Sequence, residues 1–261
     1  MVTLDQAGWA RDRLVMTRPA PELADFVEFF WIDDRHRSAR GFDTWRIVAD
    51  DAPHIIYYRY SDPVAKTERH RLNVVGARER YADVDCTHRL FTVGARLRAG
   101  AVPALLGMPA HELTNRVLAA DLLVRFDTLS WFGGDDPADA RAQVERFIRE
   151  LARRGNPVDR RTHSLVRLRP AADATLSRFA DELGVSDRAL RSWSSQHLGL
   201  GLKRFLSIRR LHNAIESRLV TPQATWSRIA AAHGFADQSH LVRDCRAMLG
   251  ESPSEFLARA G

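Results

Sequence analysis

The sequence predicts an α+β chain in two parts. A β-rich amino-terminal domain with flanking helices is followed by an all-α domain of two helix-turn-helix units. Three observations lead there. Residues 176–205 recur in weaker form at 226–256: Leu176-Ser-Arg-Phe-Ala180 aligns with Trp226-Ser-Arg-Ile-Ala230, and Gly184-Val185 with Gly234-Phe235. After one extra residue, Leu190 aligns with Leu241, Gly199 with Gly250 and Phe205 with Phe256. Runs rich in β-branched and aromatic residues occupy the stretch between 44 and 98. The 261-residue chain carries a formal charge of +6, and residues 166–261 hold 14 Lys+Arg against 9 Asp+Glu, so +5 of it sits on the duplicated part. Two short helix pairs with that surplus are suited to facing phosphate, the bland alternative being a solvated basic surface.

In chain order, residues 21–31 open with Pro21 at a first helical position. Leu23, Phe26, Val27 and Phe30 fall on one helical face, which predicts a helix. Strand-like runs follow at 44–49, 54–60, 71–75 and 88–98. In the last, Phe91, Val93, Ala95 and Leu97 alternate with Thr92, Gly94, Arg96 and Arg98, the pattern of a half-buried strand whose arginines face solvent. Strands at this spacing suggest a small antiparallel sheet or barrel. Helical patterns occupy 102–106, 110–118 and 137–154, the last with Asp136 as N-cap before Pro137 and Gly155 closing its end. The expected division is a domain over 1–154, a turn-rich charged linker over 155–165, and a second domain over 166–261; the length suffices for two cores.

In the first unit, Phe179, Ala180 and Leu183 form the core face of a positioning helix, and Ser186 caps the next one. Ala189, Leu190 and Trp193 are expected inward, leaving Arg188, Arg191 and Ser192 outward as base readers, with Ser195 beside them. A connecting helix buries Phe205, Ile208, Leu211, Ile215 and Leu219 and ends at Thr221-Pro222. Its other face offers Lys203, Arg204, Arg209 and Arg210 to phosphate. In the second unit Ile229, Ala230 and Phe235 are core and Gly234 makes the turn. The following helix turns Leu241 inward and presents Gln238, Ser239, His240 and Arg243 as readers, with Arg246 added to the phosphate set. The arginine fork matches guanine O6 and N7, and glutamine pairs with adenine. Ser252-Pro253 starts a last helix through Phe256.

Other chemistry is harder to find. Two cysteines, Cys86 and Cys245, allow no disulfide framework or cysteine zinc site and suit a reducing cytoplasm. The first residues lack a basic segment followed by an apolar one, and the longest apolar stretch, 99–110, is broken by Pro103 and Pro109, so neither a signal peptide nor a membrane span is expected. No Gly-x-Ser-x-Gly, phosphate-loop or His-Glu-x-x-His motif occurs. His54, His70, His88 and His111 have no metal-ligand spacing. An enzyme, a metal and a cofactor are therefore not expected. Trp45, Tyr57 and Tyr58, with His54, are candidates to line a small-molecule cavity; barrel core is the more ordinary role for such aromatics.

Gly234-Phe-Ala-Asp-Gln-Ser-His-Leu241 with Gly250-Glu-Ser-Pro-Ser-Glu-Phe256 resembles the second helix-turn-helix of AraC/XylS-type transcription regulators. Leu183-Gly-Val-Ser186 through Gly199, with the connecting helix, resembles the first, so this likeness covers residues 166–258. Residues 23–31 and Val93-Gly-Ala-Arg-Leu-Arg98, leading into Leu105-Leu-Gly107, look like the sensory half of one AraC subgroup. The resemblance implies a cupin-like regulatory domain ahead of a DNA reader: a cytoplasmic, sequence-specific transcription regulator controlled by a small molecule. Its candidate partners are duplex DNA, RNA polymerase, a small effector and a second copy of the chain. The alternative is an amino-terminal domain that acts only in dimerisation or protein contact, without a ligand. The chain departs from the family in four places. Ser192 and Ser194 stand where an arginine and an aromatic are usual, Cys245 replaces a phenylalanine, and Ala49-Asp50-Asp51 replaces the subgroup's Pro-Asp-Gly. The cupin metal set of His, His, Glu and His is not visible. The first reading helix is accordingly expected to contribute less binding energy.

Overall fold

The computed structural model describes residues 14–33, 44–62, 64–85, 89–124, 132, 136–159, 161–162 and 176–260. Its strands, in chain order, are β1 (Leu14–Thr17), β2 (Val27–Asp33), β3 (Thr44–Ile47), β4 (His54–Asp62), β5 (Thr67–Val75), β6 (Ala82–Asp85), β7 (Arg89–Leu97) and β8 (Val117–Ala119). Six of them form an antiparallel sheet in the order β1-β2-β7-β4-β5-β8, and β3 pairs with β6 in a second, two-stranded sheet. Side-chain alternation sends Ile55 and Tyr57 of β4, Leu72 and Val74 of β5, and Phe91, Val93, Ala95 and Leu97 of β7 to one face. That face packs on α1 (Ala101–Leu106) and on Val144, Phe147, Ile148 and Leu151 of α2 (Pro137–Arg154). The α2 start is as expected: the Asp136 carboxylate accepts the Ala138 N–H at 2.9 Å.

Residues 21–31 are not a helix. Pro21–Leu23 make one 3₁₀ turn and β2 follows. A bulge between Val27 and Phe29 shifts β2 against β7, so Val27 and Phe30 share the core face opposite Leu97 and Ala95, while Asp33, opposite Thr92, is buried on the other face. Apolar spacing of three on one face is also what a helix produces, and here the sheet pairing decided. Residues 110–118 likewise divide into a 3₁₀ turn, Ala110–Leu113, and β8. Asn115, left-handed at φ 59°, breaks any continuous helix between them. The short strands β1 and β6 went unanticipated.

The carboxy-terminal part holds α3 (Leu176–Glu182), α4 (Asp187–Leu198), α5 (Leu202–Val220), α6 (Trp226–Ala232), α7 (Gln238–Leu249) and α8 (Pro253–Ala260). Of the expected α5 stripe, Phe205, Ile208, Leu211 and Ile215 are fully buried at the centre of this helical core, and Leu219 is partly buried against it. Val48, Ala49 and Ala77 of the amino-terminal part enter the same core, so the two parts share buried surface. The described part of the linker is packed too. The Asn156 N–H bonds the Ala104 carbonyl at 2.8 Å, and Thr162 is fully buried. Among the described residues no helix is long and apolar enough to cross a membrane. Cys86, His88 and residues 163–175 lie outside the described residues.

At the end of β5, the position a Cβ would take on Gly76 lies 1.8 Å from the backbone oxygen of Leu113. Gly76→Ala must therefore push the 110–113 turn away. The variant is expected to lose about 1–3 kcal/mol, read as a lower urea midpoint at unchanged m.

Candidate nucleic-acid interface

The duplicated residues produce duplicated geometry. α3 ends with the Val185 N–H on the Ala180 carbonyl at 2.9 Å, and α6 ends with the Phe235 N–H on the Ala230 carbonyl at 3.0 Å. Gly184 and Gly234 supply the left-handed residue that this helix ending requires, at φ 64° and 73°. The second helix of each unit then starts on a side-chain cap. Ser186 accepts the Ala189 N–H, and Asp237 accepts the His240 N–H. α8 opens with a reciprocal capping box between Ser252 and Glu255.

Of the residues expected to read bases, Arg188, Arg191 and Ser192 of α4 and Gln238, Ser239 and Arg243 of α7 are exposed. His240 is different: it is half-buried, edge-on to Phe235, and its Nδ1 accepts the Ala236 N–H at 3.3 Å, so it braces the turn. Ala189, expected inward, is exposed. Trp193, expected inward, does pack partly buried against the helical core; it also stacks on His197 and donates its Nε1–H to Asp159 in the linker at 3.2 Å. The bond from Arg161 contributes most to holding the Asp159 carboxyl down, at about 2. Ser194 and Cys245 occupy aligned positions, and both are completely buried. Ser194 donates to the Arg191 carbonyl, and burial pushes the Cys245 thiol well up.

Sequence reasoning missed two reader-positioning bonds. The Ser177 hydroxyl donates to the Asp187 carboxylate at 3.1 Å, and the Ser227 hydroxyl donates to Gln238 Oε1 at 2.8 Å. Asp187 also lies 3.8 Å from the Arg191 guanidinium. In each unit a serine of the first helix thus steadies the first residue of the second. The signal was available, because Ser177 and Ser227 are identical at aligned positions.

The phosphate set divides. Lys203 and Arg246 are exposed. Arg204 instead donates to the Glu79 backbone oxygen, and Arg209 Nε lies 3.6 Å from Asp51. Arg210 is internal to the second unit: it bonds the Gly234 carbonyl, lies 3.3 Å from Asp244 and sits over the Phe235 ring. Of the four basic residues of α5 expected to meet phosphate, only Lys203 is exposed: the amino-terminal part engages Arg204 and Arg209, and the second unit itself engages Arg210. The amino-terminal part also bonds the C-terminal ends of α4 and α7. The Gly100 N–H bonds the His197 carbonyl at 2.9 Å, the Thr114 hydroxyl bonds the Gly199 carbonyl, and the Ala49 N–H bonds the Met248 carbonyl at 2.9 Å.

The candidate ligand-lining residues Tyr57 and Tyr58 fall on opposite faces of the sheet. Tyr57 is buried in the sheet core, stacked on Phe132 at 4.5 Å, and burial raises its phenol. Tyr58 points to the opposite face by strand alternation, where its oxygen accepts from Asn73. Trp45 pairs with Val84 between β3 and β6. His54 is buried with its Nε2 2.8 Å from Asp50. Arg98 is exposed as expected, whereas Arg96, expected in solvent beside it, is buried among carboxylates. It reaches Glu28 at 2.9 Å, both oxygens of Asp50, and Asp51 at 2.7 Å. Burial alone would raise the Asp50 carboxyl, but Arg96 and His54 outweigh it and hold the group well below the usual range.

Two capped helix pairs on one core, each exposing the first turns of its second helix, define a duplex-DNA-binding protein. Residues 179–259 match a family described as a helix-turn-helix domain, and this part of the chain is an AraC-type DNA-binding domain. Residues 16–119 match a domain family of unknown function, DUF6597. Comparison with curated proteins finds no match. Among solved structures the chain is similar to ToxT from Vibrio cholerae. An apo form shows 12% identity and a TM-score of 0.47 over 97% of this chain and 100% of that one. A form bound to an unsaturated fatty acid shows 13% and 0.46 over 94% and 95%. A likeness this distant carries none of ToxT's ligand chemistry to this chain.

Two tests follow from this geometry. Ser227→Ala should cost about 0.5–1.5 kcal/mol on a selected duplex and less on random-sequence DNA, both read by fluorescence titration. In a Cys86→Ser background, Cys245 should resist a disulfide reagent at pH 8 until urea unfolds the chain, because the thiolate is the nucleophile and burial opposes it. Rapid labelling of the folded protein would contradict this placement.

Proposed function

We propose that the protein is a sequence-specific transcription regulator that reads an asymmetric duplex site with two unlike heads, under control of its amino-terminal half. One observation carries the reading: both recognition helices expose their N-terminal halves, with Arg188, Arg191 and Ser192 on one and Gln238, Ser239 and Arg243 on the other. Unlike side chains at aligned positions read unlike sequences. Lys203 and Arg246 supply positioning charge. Heads meeting successive major-groove segments on one DNA face lie about 34 Å apart, one helical turn. Small-molecule control is supported by the second face of the large sheet, where Asn73 and Thr92 are buried polar groups beside Tyr58. In this reading RNA polymerase and a second copy of the chain are partners, and the protein works in the cytoplasm.

The test begins with fragments of genomic DNA captured by the purified full chain. On a captured site, Arg243→Ala and Gln238→Ala should each cost about 1–3 kcal/mol, with Gln238→Ala weaker on random DNA. The log–log salt slope should be about −0.9 per phosphate neutralised. Five base pairs inserted between the submotifs should abolish tight binding, because half a turn places one head on the wrong face. A folded protein without salt-dependent affinity would overturn the reading. A melting temperature raised by a metabolite pool supports the sensor, whereas concentration-dependent size without such a rise supports an amino-terminal half that works only by protein contact.

A further inference from the structure

We propose that the amino-terminal half is a positioning jig. It grips both recognition helices by their C-terminal ends, and residues 49–51 form the grip that ties the second head to the ion cluster of the sheet. The inference rests on the two-headed reading above and adds what sets the geometry between the heads.

The grips fall at aligned positions. α4 and α7 each end on a left-handed glycine, Gly199 at φ 77° and Gly250 at φ 84°. A Cβ on Gly199 would lie 3.0 Å from the Ala110 oxygen, and one on Gly250 would lie 2.8 Å from Arg46 and 3.0 Å from the Tyr81 ring. The last carbonyls of a helix lack intrahelical partners and need outside donors. For α4 and its cap these come from the Gly100 N–H at His197 and the Thr114 hydroxyl at Gly199. For α7 the donor is the Ala49 N–H at Met248. Both helices are thus held at the end remote from Arg188 and Gln238, which leaves the reading ends exposed.

Residues 49–51 do more than hold one helix. The Ala49 carbonyl accepts from His212 Nε2 at 2.9 Å, so one residue joins α7 to the middle of α5 with both of its backbone groups. Asp50 is bonded to Arg78 through its N–H and its carbonyl, and its carboxylate holds Arg96 and His54. Asp51 is shared: Oδ1 takes Arg96 at 2.7 Å, and Oδ2 faces Arg209 of α5 at 3.6 Å. Arg96 stands in β7 on the same strand face as Thr92 and Gly94. A displacement of that face therefore reaches α5 and α7 through a single acidic pair. Arg209 is a positioning residue in this scheme and touches no base or phosphate.

The experiment uses the full chain, a captured two-part site, and the same site lengthened by one base pair between the submotifs. Wild type should lose about tenfold or more on the longer site. Arg209→Ala should shrink that penalty to about threefold while its salt slope stays at the wild-type value. Hydrogen exchange in the free protein supplies a readout independent of DNA: the Ala49 amide should be protected in wild type and exchange faster in Arg209→Ala. Asp51→Asn should behave in the same way and carries the test if Arg209→Ala does not fold, since Arg96 keeps Asp50 and Glu28. An unchanged spacing penalty alongside faster Ala49 exchange would overturn the proposal. So would equal losses on both sites with a salt slope shallower by about one, which would make Arg209 a phosphate contact. If wild type captures no two-part site, the two-headed reading fails, and Ala49 exchange alone decides whether the grip exists.

Discussion

A guanidinium out of water must be surrounded by carboxylates, and Arg96 collects three. Glu28 comes from β2, while Asp50 and Asp51 come from the segment between β3 and β4. That requirement places the segment, because a buried cation left without its partners costs several kcal/mol. Once residues 50 and 51 are held there, Ala49 is carried into the helical core, where it is completely buried. The attachment of α7 and the middle of α5 through residues 49–51 thus rests on this ion cluster. The cluster buries Arg96, and the Trp31 ring covers Gly94, on the face of β7 that its alternating sequence assigned to solvent.

The helical part follows a different logic. Its two units share caps, turns and left-handed glycines, and these local devices reproduce the same backbone twice. The side chains they present have diverged: Arg188 aligns with Ser239, Ser192 with Arg243, and Asp187 with Gln238. Duplication with preserved punctuation is how one chain obtains two readers of different sequence. Aligned serines retained on the preceding helices fit this, since an exposed reader gains specificity when its orientation is restricted.

Burial also separates residues that charge alone would group together. Lys203 and Arg246 remain exposed, while Arg204, Arg209 and Arg210 are engaged within the molecule. An arginine on the polar side of an amphipathic helix faces water only if no other element packs there. α5 has neighbours on both sides, so its basic residues divide by position along the helix. Tyr57 and Tyr58 are divided by strand alternation in the same way.

Where the determinants are local, the sequence was sufficient. The repeat, the glycines at 184, 199, 234 and 250, the caps at Ser186 and Asp136, and the α5 stripe were all legible, because helix endings and amphipathic faces are set by residues within a few positions of one another. The exposed readers followed from that periodicity. Tertiary structure alone decided that residues 27–33 form a bulged strand, because a spacing of three reads as helix and fits one strand face only through the bulge that pairing with β7 fixes. It also decided that Arg96 is buried, that Arg209 meets Asp51, and that Ala49 bridges α5 and α7. Those contacts join residues tens to nearly two hundred positions apart, and no local pattern records which distant element will cover a given face.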